Sequence, residues 1–412
     1  MKLIFITGLY PKEAIEDFRR YANGDIQNAS DVFQWAVVDG LVKNNVDFQV
    51  ISCPFLPSFP FNNQCFILPE LDVKYNGESI GISLPYCAAA FIKPISICRL
   101  LMKSVVSIIE KTKQMNNKEK IVVLTYSVDT PFLQVLKTLK ELYPDLLTAS
   151  IVTDLPDNML DFDTNKRFWK RIQCFWESRI IKSLYKYIDK FVLLSAPMEE
   201  RIQESKGRNC IIEGIAVPNS LLKNKKYHKN KILLYTGTLD EFSGVRELVQ
   251  AFQKIKHPDY RLVICGGGLM EDKIRDATVN DPRIIYTGRV SRTEALSLQA
   301  EATLLINPRR PDSGITRFSF PSKTMEYMMS GTAMMGYKLE GIPNDYFQYY
   351  YTINEVTVDA LAQRIIEIMS YSEEELNAKA EKAYNFIMNN KTSDRQIKRM
   401  IEFLFDRFDE NA

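Results

Sequence analysis

Residues 120–143 read KIVVLTYSVDTPFLQVLKTLKELY, and this stretch decides the fold because its hydrophobic period changes within a few residues. The first part, KIVVLT, is a short apolar run, which is typical of a strand buried in a parallel sheet. The second part, PFLQVLKTLKELY, carries apolar residues at helical spacing. The stretch therefore predicts one strand followed by one helix, the repeating unit of an α/β fold.

The same alternation extends over residues 1–217. Further apolar runs are KLIFIT (2–7), FQVIS (48–52), TASIVT (148–153) and KFVLLS (190–195), and helical periodicity is visible at 32–43 and 98–111. This order predicts an N-terminal Rossmann-like domain with a doubly wound sheet. Residues 218–230, PNSLLKNKKYHKN, are polar and lysine-rich without an apolar period, so we interpret them as a linker.

The alternation restarts over residues 231–385, which predicts a second Rossmann-like domain. Its apolar runs are KILLYTG (231–237), YRLVICGGG (260–268), RIIYTG (283–288) and ATLLINP (302–308). We expect residues 386–412 to form a C-terminal helix that crosses back and packs on the first domain. We expect the two doubly wound domains to face each other across a central cleft. Such folds bind ligands at the carboxyl ends of their strands, so we expect the ligand site in that cleft.

Composition narrows the classes of function. The formal net charge of the 412 residues is +2, so no global basic character indicates a nucleic-acid partner. Seven cysteines are scattered without metal-ligand spacing, which favours a reducing cytosol and predicts no metal site. The apolar start is too short for a signal peptide, and no stretch reaches the length of a transmembrane helix. We therefore expect a cytoplasmic protein.

Glycines follow several predicted strands and are candidate ligand contacts. They are Gly8, Gly237, Gly266 and Gly267. Glycine lets the backbone approach a nucleotide or phosphate closely, although tight strand-to-helix turns also explain such residues. The segment ICGGGLMEDK (264–273) lacks the third glycine of G-x-G-x-x-G, so a nicotinamide site is disfavoured.

The segment FPSKTMEYMMSGT (320–332) predicts a helix whose amino end suits an anion. Ser322 and Thr324 offer hydroxyls there, Lys323 adds a full positive charge, and Glu326 lies one turn in, where the ribose of a nucleotide would offer hydroxyls. An ordinary capped helix is the alternative explanation.

Three arginines, Arg309, Arg310 and Arg317, precede this helix in the loop NPRRPDSGITRFSF (307–320). Arg309 and Arg310 have the fork geometry that suits phosphate, and Asp312 is the one acid close by in sequence. We expect both to contact a diphosphate. A solvated basic loop is the alternative.

From YTGTLDEFSGVRELVQAF (235–252) through residues 320–332, the chain resembles the GT4-like retaining glycosyltransferases of the GT-B fold. The resemblance covers most of the chain and is weakest in the N-terminal half. It implies transfer of a sugar from a nucleotide-sugar donor to a saccharide or lipid-linked acceptor, with retention at the anomeric carbon and without a metal or other cofactor. It further implies donor contacts from Ser322, Lys323 and Thr324, and a ribose contact from Glu326.

The acceptor would bind the first domain, where we expect long loops at 11–30 and 53–94. Family members often carry a histidine or aspartate after the last strands of that domain, and SIVTDLPDN (150–158) offers Asp154 in a comparable place. Asp154 is therefore the candidate catalytic residue, with a turn-forming aspartate as the alternative.

Three positions depart from the family pattern. Phe318 stands where many members have the first glutamate of a Glu-x7-Glu pair, and Thr238 and Ser243 stand where many have arginine and lysine. These departures leave open a catalytically inactive GT-B partner protein. A GT-B sugar-nucleotide epimerase is a further alternative, but it needs acid and base side chains that this histidine-poor chain rarely offers.

The segment NKRFWKRIQCFWESRIIKSLYKYIDK (165–190) combines many cations with tryptophans. A basic helix of this kind can lie at a membrane interface, so peripheral membrane contact is one interpretation. The other is a core helix, whose buried positions would be Ile172, Phe175, Ile180, Leu184 and Ile188.

Overall fold

The computed structural model describes residues 1–22, 26–60, 63–156, 168–217, 231–312 and 316–406, without the side chains of 168–171 and 173. The chain forms two compact units. Unit 1 comprises Met1–Leu194, Met198–Ile215 and the chain from Ser393, and unit 2 comprises Ser195–Pro197 and Ala216–Thr392. The predicted linker at 218–230 lies outside the described residues.

Unit 1 is built on a sheet that is parallel except at one edge. Its strands are β1 (Lys2–Thr7), β2 (Asp47–Ser52), β3 (Leu71–Tyr75), β4 (Glu78–Ser83), β5 (Ile121–Tyr126), β6 (Leu147–Val152), β7 (Lys190–Leu193) and β8 (Asn209–Ile211). Their order in the sheet is β3-β4-β2-β1-β5-β6-β7-β8, and only the pair β3–β4 is antiparallel. Every residue of β5 is buried, as its continuous apolar run predicts.

The helices of unit 1 up to residue 184 are α1 (Ile15–Tyr21), α2 (Asn28–Lys43), α3 (Lys93–Met115), α4 (Thr130–Leu142) and α5 (Phe168–Leu184). From β1 the chain passes through α2 to one neighbour, β2, whereas α3, α4 and α5 carry it in the opposite direction along the sheet. Because such crossovers are right-handed, the two sets of helices lie on opposite faces. The predicted doubly wound arrangement is confirmed.

Residues 53–94, expected to be a long loop, contain β3 and β4. β3 is a five-residue edge strand with one buried residue, and β4 (ESIGIS) lies next to it and begins with two exposed residues, so no continuous apolar run marks either strand. The expected loop at 11–30 likewise contains α1.

The prediction of which residues of α5 are buried is partly wrong. Leu184 and Ile188 are buried as predicted, but Phe175 and Ile180 are 47% and 44% exposed. Ile181 takes the buried position instead. The helix is rotated relative to the predicted stripe, so two apolar residues face solvent.

Unit 2 has a wholly parallel sheet. Its strands are β9 (Lys231–Thr236), β10 (Tyr260–Cys265), β11 (Ile284–Gly288), β12 (Leu304–Asn307), β13 (Met334–Tyr337) and β14 (Tyr351–Ile353), in the order β11-β10-β9-β12-β13-β14. Its helices are α6 (Val245–Lys254), α7 (Glu271–Asn280), α8 (Arg292–Glu301), α9 (Ser322–Met329), α10 (Val358–Ser370) and α11 (Glu373–Asn390). The order reverses at β9, so the second sheet is also doubly wound.

The last described helix, α12 (Ser393–Phe405), returns to unit 1. Its buried residues Ile397, Met400 and Leu404 join the core of that unit. A Cβ on Gly40 of α2 would overlap Cγ1 of Ile397 and lie 2.5 Å from the carbonyl oxygen of Ser393. The predicted C-terminal helix therefore does pack on unit 1, but it begins at Ser393 rather than at residue 386, because α11 continues to Asn390. The absence of a side chain at Gly40 allows its close packing on α2.

Across the ranges that the structure describes, none of the helices combines the length and the apolar character needed to cross a membrane.

Replacing Gly40 with alanine is expected to destabilise unit 1. Overpacking a tight contact costs about 1–3 kcal/mol, whereas the gain in helix propensity is about 1 kcal/mol. We expect a net loss in the free energy of unfolding, measured by urea denaturation with tryptophan fluorescence, because Trp35, Trp169 and Trp176 all belong to unit 1. Adding Ile397→Ala should soften the steric penalty of Gly40→Ala. A Gly40→Ala variant as stable as the wild type would contradict the close packing of α2 and α12.

Candidate functional site

The candidate ligand residues of unit 2 gather at the carboxyl ends of neighbouring central strands. Gly237 follows β9, Gly266 follows β10, and Arg309 lies two residues after β12. These strands lie side by side in the order β10-β9-β12, and α9 begins after the loop that leaves β12. This edge of a parallel sheet is where doubly wound folds bind ligands.

Lys323 lies directly against the backbone of Gly237. A Cβ on Gly237 would overlap Cε and Nζ of Lys323, and the φ angle of +151° at Gly237 is one that side chains rarely adopt. Nζ of Lys323 is also 5.4 Å from the centre of the Tyr235 ring. Glycine at 237 therefore makes the room in which the ammonium group of Lys323 sits.

The triple glycine after β10 has a packing role. Gly266 has a φ angle of +144°, and a Cβ there would overlap the carbonyl oxygen of Gly237. A Cβ on Gly267 would overlap Nε of Arg289. The N–H of Gly237 donates to the carbonyl of Cys265 at 2.8 Å, so the two glycine turns pack against each other. They form one backbone surface beside Lys323.

Opposing electrostatic effects act on the charge of Lys323. Burial lowers the pKa of the Lys323 ammonium, and the nearby guanidinium of Arg309 lowers it further, while Glu326 and Asp240 raise it. An anion bound between Lys323 and Arg309 would offset both lowering effects. The start of α9 adds the positive end of a helix dipole at the same place. The arrangement suits a phosphate group.

The other polar residues of the helix mouth differ in accessibility. Ser322 is exposed, whereas Thr324 is buried and its hydroxyl accepts a hydrogen bond from Nδ2 of Asn307 at 3.3 Å. The N–H of Thr324 donates to the carbonyl of Pro321 at 2.9 Å. Ser322 is thus the hydroxyl that a ligand can reach, and Thr324 anchors α9 to β12.

Glu326 is half-buried and has a partner that sequence reasoning missed. Its Oε1 accepts a hydrogen bond from Nε2 of Gln299 at 2.7 Å. Gln299 lies on α8 and is completely buried. Gln299 is not part of any sequence motif. The sequence offered one indication of its role, a polar residue in a helix that packs on a parallel sheet.

Arg310 is more strongly neutralised than the sequence indicated. It forms ion pairs with Asp312 at 2.5 Å and with Glu247 of α6 at 3.1 Å. These carboxylates raise the pKa of the guanidinium. Sequence reasoning considered Asp312 alone and missed Glu247, because that residue comes from a distant helix. The pairs fix the loop that carries Arg309.

Gly8 and Asp154 belong to unit 1. The N–H of Gly8 donates to Oε1 of Gln34 at 2.7 Å, and a Cβ there would lie 2.5 Å from the ring of Phe55. These contacts within unit 1 are therefore enough to explain a glycine at position 8. Asp154 is exposed and lies just after β6. The pKa of Asp129 is raised mainly by the burial of Asp129, and the charge of Asp154 raises it further. Both assignments remain predictions.

Within the described part of the chain, no group of three histidine, cysteine, aspartate or glutamate residues is arranged to hold a metal ion.

Gly237→Ala is expected to weaken binding of inorganic diphosphate by about tenfold or more, because the new methyl group displaces the ammonium of Lys323. Gly288→Ala is the matched control: Gly288 also has a positive φ of +73°, but open space surrounds the position of its missing Cβ. Titration calorimetry compares the two variants with the wild type. Equal affinities for all three would contradict a phosphate site at Lys323.

Residues 218–386 match the family model described as Glycosyl transferases group 1. A search of curated protein sequences gives no match.

The whole chain is similar in structure to several solved proteins. Sucrose-phosphate synthase from Thermosynechococcus elongatus is 13% identical, with a TM-score of 0.64 and 100% of both chains covered. The catalytic domain of starch synthase IV from Arabidopsis thaliana, bound to ADP and acarbose, is 8% identical, with a TM-score of 0.63 and coverage of 98% of this chain and 99% of that one. A mutant of S. aureus TarM, in complex with Fondaparinux, α-GlcNAc-glycerol and UDP, is 9% identical, with a TM-score of 0.57 and coverage of 98% and 100%. The chain has the GT-B fold, and the family match in unit 2 supports glycosyl transfer.

Proposed function

We propose that this protein is a glycosyltransferase that moves a sugar from a nucleoside diphosphate sugar to an acceptor hydroxyl. The observation that carries the proposal is the ammonium of Lys323 seated on the backbone of Gly237, beside Arg309 and the start of α9. The site lies within the segment that matches the glycosyltransferase family. Similar structures contain ADP or UDP, which favours a nucleoside diphosphate as the ligand.

Donor binding assigns a role to each residue of the site. Lys323, Arg309 and Ser322 bind the diphosphate, and Glu326 accepts hydrogen bonds from the ribose hydroxyls. Gly237 makes room for the ammonium of Lys323, and Gly266 and Gly267 let the neighbouring turn pack beside it, so these glycines shape the diphosphate site through packing. Thr324 and Arg310 act indirectly, by anchoring α9 and the arginine loop.

In the reaction, the bond between the anomeric carbon and the diphosphate oxygen breaks, and the acceptor oxygen bonds to that carbon. The acceptor proton passes to the departing diphosphate. Lys323 and Arg309 stabilise the negative charge that develops on this leaving group, so their positive charges supply what a metal ion would otherwise provide. The resemblance to the GT4-like group supports retention of the anomeric configuration.

Unit 1 is the proposed acceptor-binding part. Asp154 stands exposed at the end of β6, where it can orient an acceptor hydroxyl of a saccharide or a lipid-linked saccharide. Burial is the main cause that raises the pKa of Asp129, and the charge of Asp154 raises it further. The carboxyl group of Asp129 is therefore close enough to interact with Asp154.

A binding protein without turnover is the second candidate function. Phe318 is only 7% exposed, so the position of the family's first glutamate holds a packed aromatic ring. The hydroxyl of Ser243 donates to the carbonyl of Asp240 at 2.6 Å, which occupies it within its own turn. Release of nucleoside diphosphate from a bound sugar donor, with and without acceptor saccharides, separates this candidate from a transferase.

We also propose peripheral membrane contact through the exposed side of α5. Phe175, Trp176 and Ile180 are 47%, 59% and 44% exposed, and Arg179 and Lys182 lie on the same helix. Apolar side chains next to cations suit the interface of an anionic bilayer. Residues 165–167 of the predicted segment lie outside the described residues. All seven cysteines are unpaired, which suits a protein at the cytoplasmic face.

Lys323→Ala is expected to lower the affinity for a nucleoside diphosphate by about tenfold or more, because a charge-assisted hydrogen bond is worth about 1.5–3 kcal/mol. Lys273→Ala is the matched control, because it removes the same charge at an exposed position on α7. A thermal-shift panel of UDP-, GDP-, ADP- and dTDP-sugars first identifies the base, since a ligand that binds the folded state raises the Tm. The phosphate assignment fails if calorimetry gives both variants the wild-type affinity.

The membrane contact predicts cosedimentation with vesicles of phosphatidylglycerol and phosphatidylcholine, stronger at low salt because screening weakens the attraction. Trp176→Ser should reduce it, whereas Leu142→Ser, at a site 58% exposed on α4 of the same unit, should not. Absence of binding at low salt would leave α5 without a role at membranes.

A further inference from the structure

A completely buried amide contacts the carboxylate assigned to the ribose. Nε2 of Gln299 donates to Oε1 of Glu326 at 2.7 Å and to Oγ1 of Thr236 at 3.0 Å. Thr236 is the last residue of β9 and immediately precedes Gly237, against which Lys323 packs. One side-chain amide therefore joins Glu326 to the strand end that carries the phosphate site.

Neighbouring residues hold this amide rigidly. The hydroxyl of Thr332 donates to the backbone carbonyl oxygen of Gln299 at 2.8 Å, which fixes the main chain that carries the amide. The hydroxyl of Tyr327 donates to the carbonyl of Thr236 at 3.1 Å and accepts from its N–H at 2.9 Å. Thr236, Gln299, Tyr327 and Thr332 are all buried, so water does not compete for these hydrogen bonds.

Packing alone does not explain an amide at this position. Oε1 of Gln299 is buried and has no hydrogen-bond partner in the described part of the chain. A buried polar atom without a partner costs stability, so an apolar side chain of similar length would fill the space at lower cost. The donor atom Nε2 is the part of the side chain that the site uses.

The hydrogen bond engages one oxygen of Glu326. No hydrogen bond to Oε2 is formed within the residues that the structure describes, and the carboxyl group is half-buried rather than enclosed. A carboxylate held at one oxygen keeps a fixed orientation, which reduces the conformational entropy lost when the other oxygen binds a ligand.

We propose that Gln299 is a positioning residue for nucleotide recognition, which orients Glu326 so that its second oxygen receives the ribose hydroxyls. The inference rests on the proposed function, because it requires Glu326 to bind a nucleotide. It goes beyond that function by assigning nucleotide selectivity to a buried residue that contacts no ligand itself.

The test is a double-mutant cycle with Gln299→Met, Glu326→Ala and the combined variant, titrated with UDP, ADP and inorganic diphosphate. Gln299→Met keeps the side-chain length and removes the donor. We expect about tenfold weaker binding of the preferred nucleoside diphosphate, unchanged binding of inorganic diphosphate, and no further loss when Gln299→Met is added to Glu326→Ala. Thr332→Val is the matched control, because it loosens the backbone of Gln299 without removing the amide that contacts Glu326.

The Tm without ligand establishes that each variant folds. Gln299→Asn, which keeps the amide but shortens its reach, replaces Gln299→Met if the latter does not fold. The inference is overturned if Glu326→Ala loses nucleotide selectively while Gln299→Met binds as the wild type does, or if Gln299→Met weakens all ligands equally. If Glu326→Ala and Lys323→Ala both bind as the wild type does, the proposed function fails and the inference falls with it.

Discussion

The close approach of Lys323 to the backbone of Gly237 is the constraint on which the site of unit 2 depends. Any side chain at 237 would occupy the volume of the lysine ammonium. The same approach requires glycine at 266, because that turn packs on the carbonyl of Gly237. The turns after β9 and β10 are thus packed together, and Lys323, the second residue of α9, contacts the turn after β9.

Much of the fold was predictable from the sequence, because buried parallel strands and amphipathic helices leave strong hydrophobic patterns. β1, β5 and β9 were predicted at nearly their observed bounds. The edge strand β3 and its neighbour β4 were missed because neither contains a continuous apolar run. β13, with the sequence MMGY, was missed because it has four residues and because methionine and glycine carry little strand propensity, although all four residues are buried.

The site was predictable only in part. The sequence pointed to Lys323 and Glu326 through their place at the start of a helix, which is a local feature. It did not point to Gln299 or Glu247, whose partners are 27 and 63 residues away in sequence. A single polar residue inside a buried helix has no spacing that distinguishes it. The strand order explains why Gln299 is a neighbour of Glu326. The crossovers through α8, from β11 to β12, and through α9, from β12 to β13, run in the same direction along the sheet, so both helices lie on one face.

Opposing electrostatic effects act on Lys323, which is half-buried and close enough to Arg309 to feel its charge. Without an anion, burial and Arg309 both act against the charge of Lys323, and Glu326 offsets them only partly. A diphosphate would compensate both cations at once, so its binding would remove the unfavourable effect of burial and of Arg309 on the charge of Lys323. Glu326 then has two effects: its charge favours protonated Lys323, yet it also disfavours the approach of an anion. In the proposed binding mode, the hydrogen bond from the Gln299 amide would keep the charge of Glu326 near the ribose hydroxyls rather than near the phosphate oxygens.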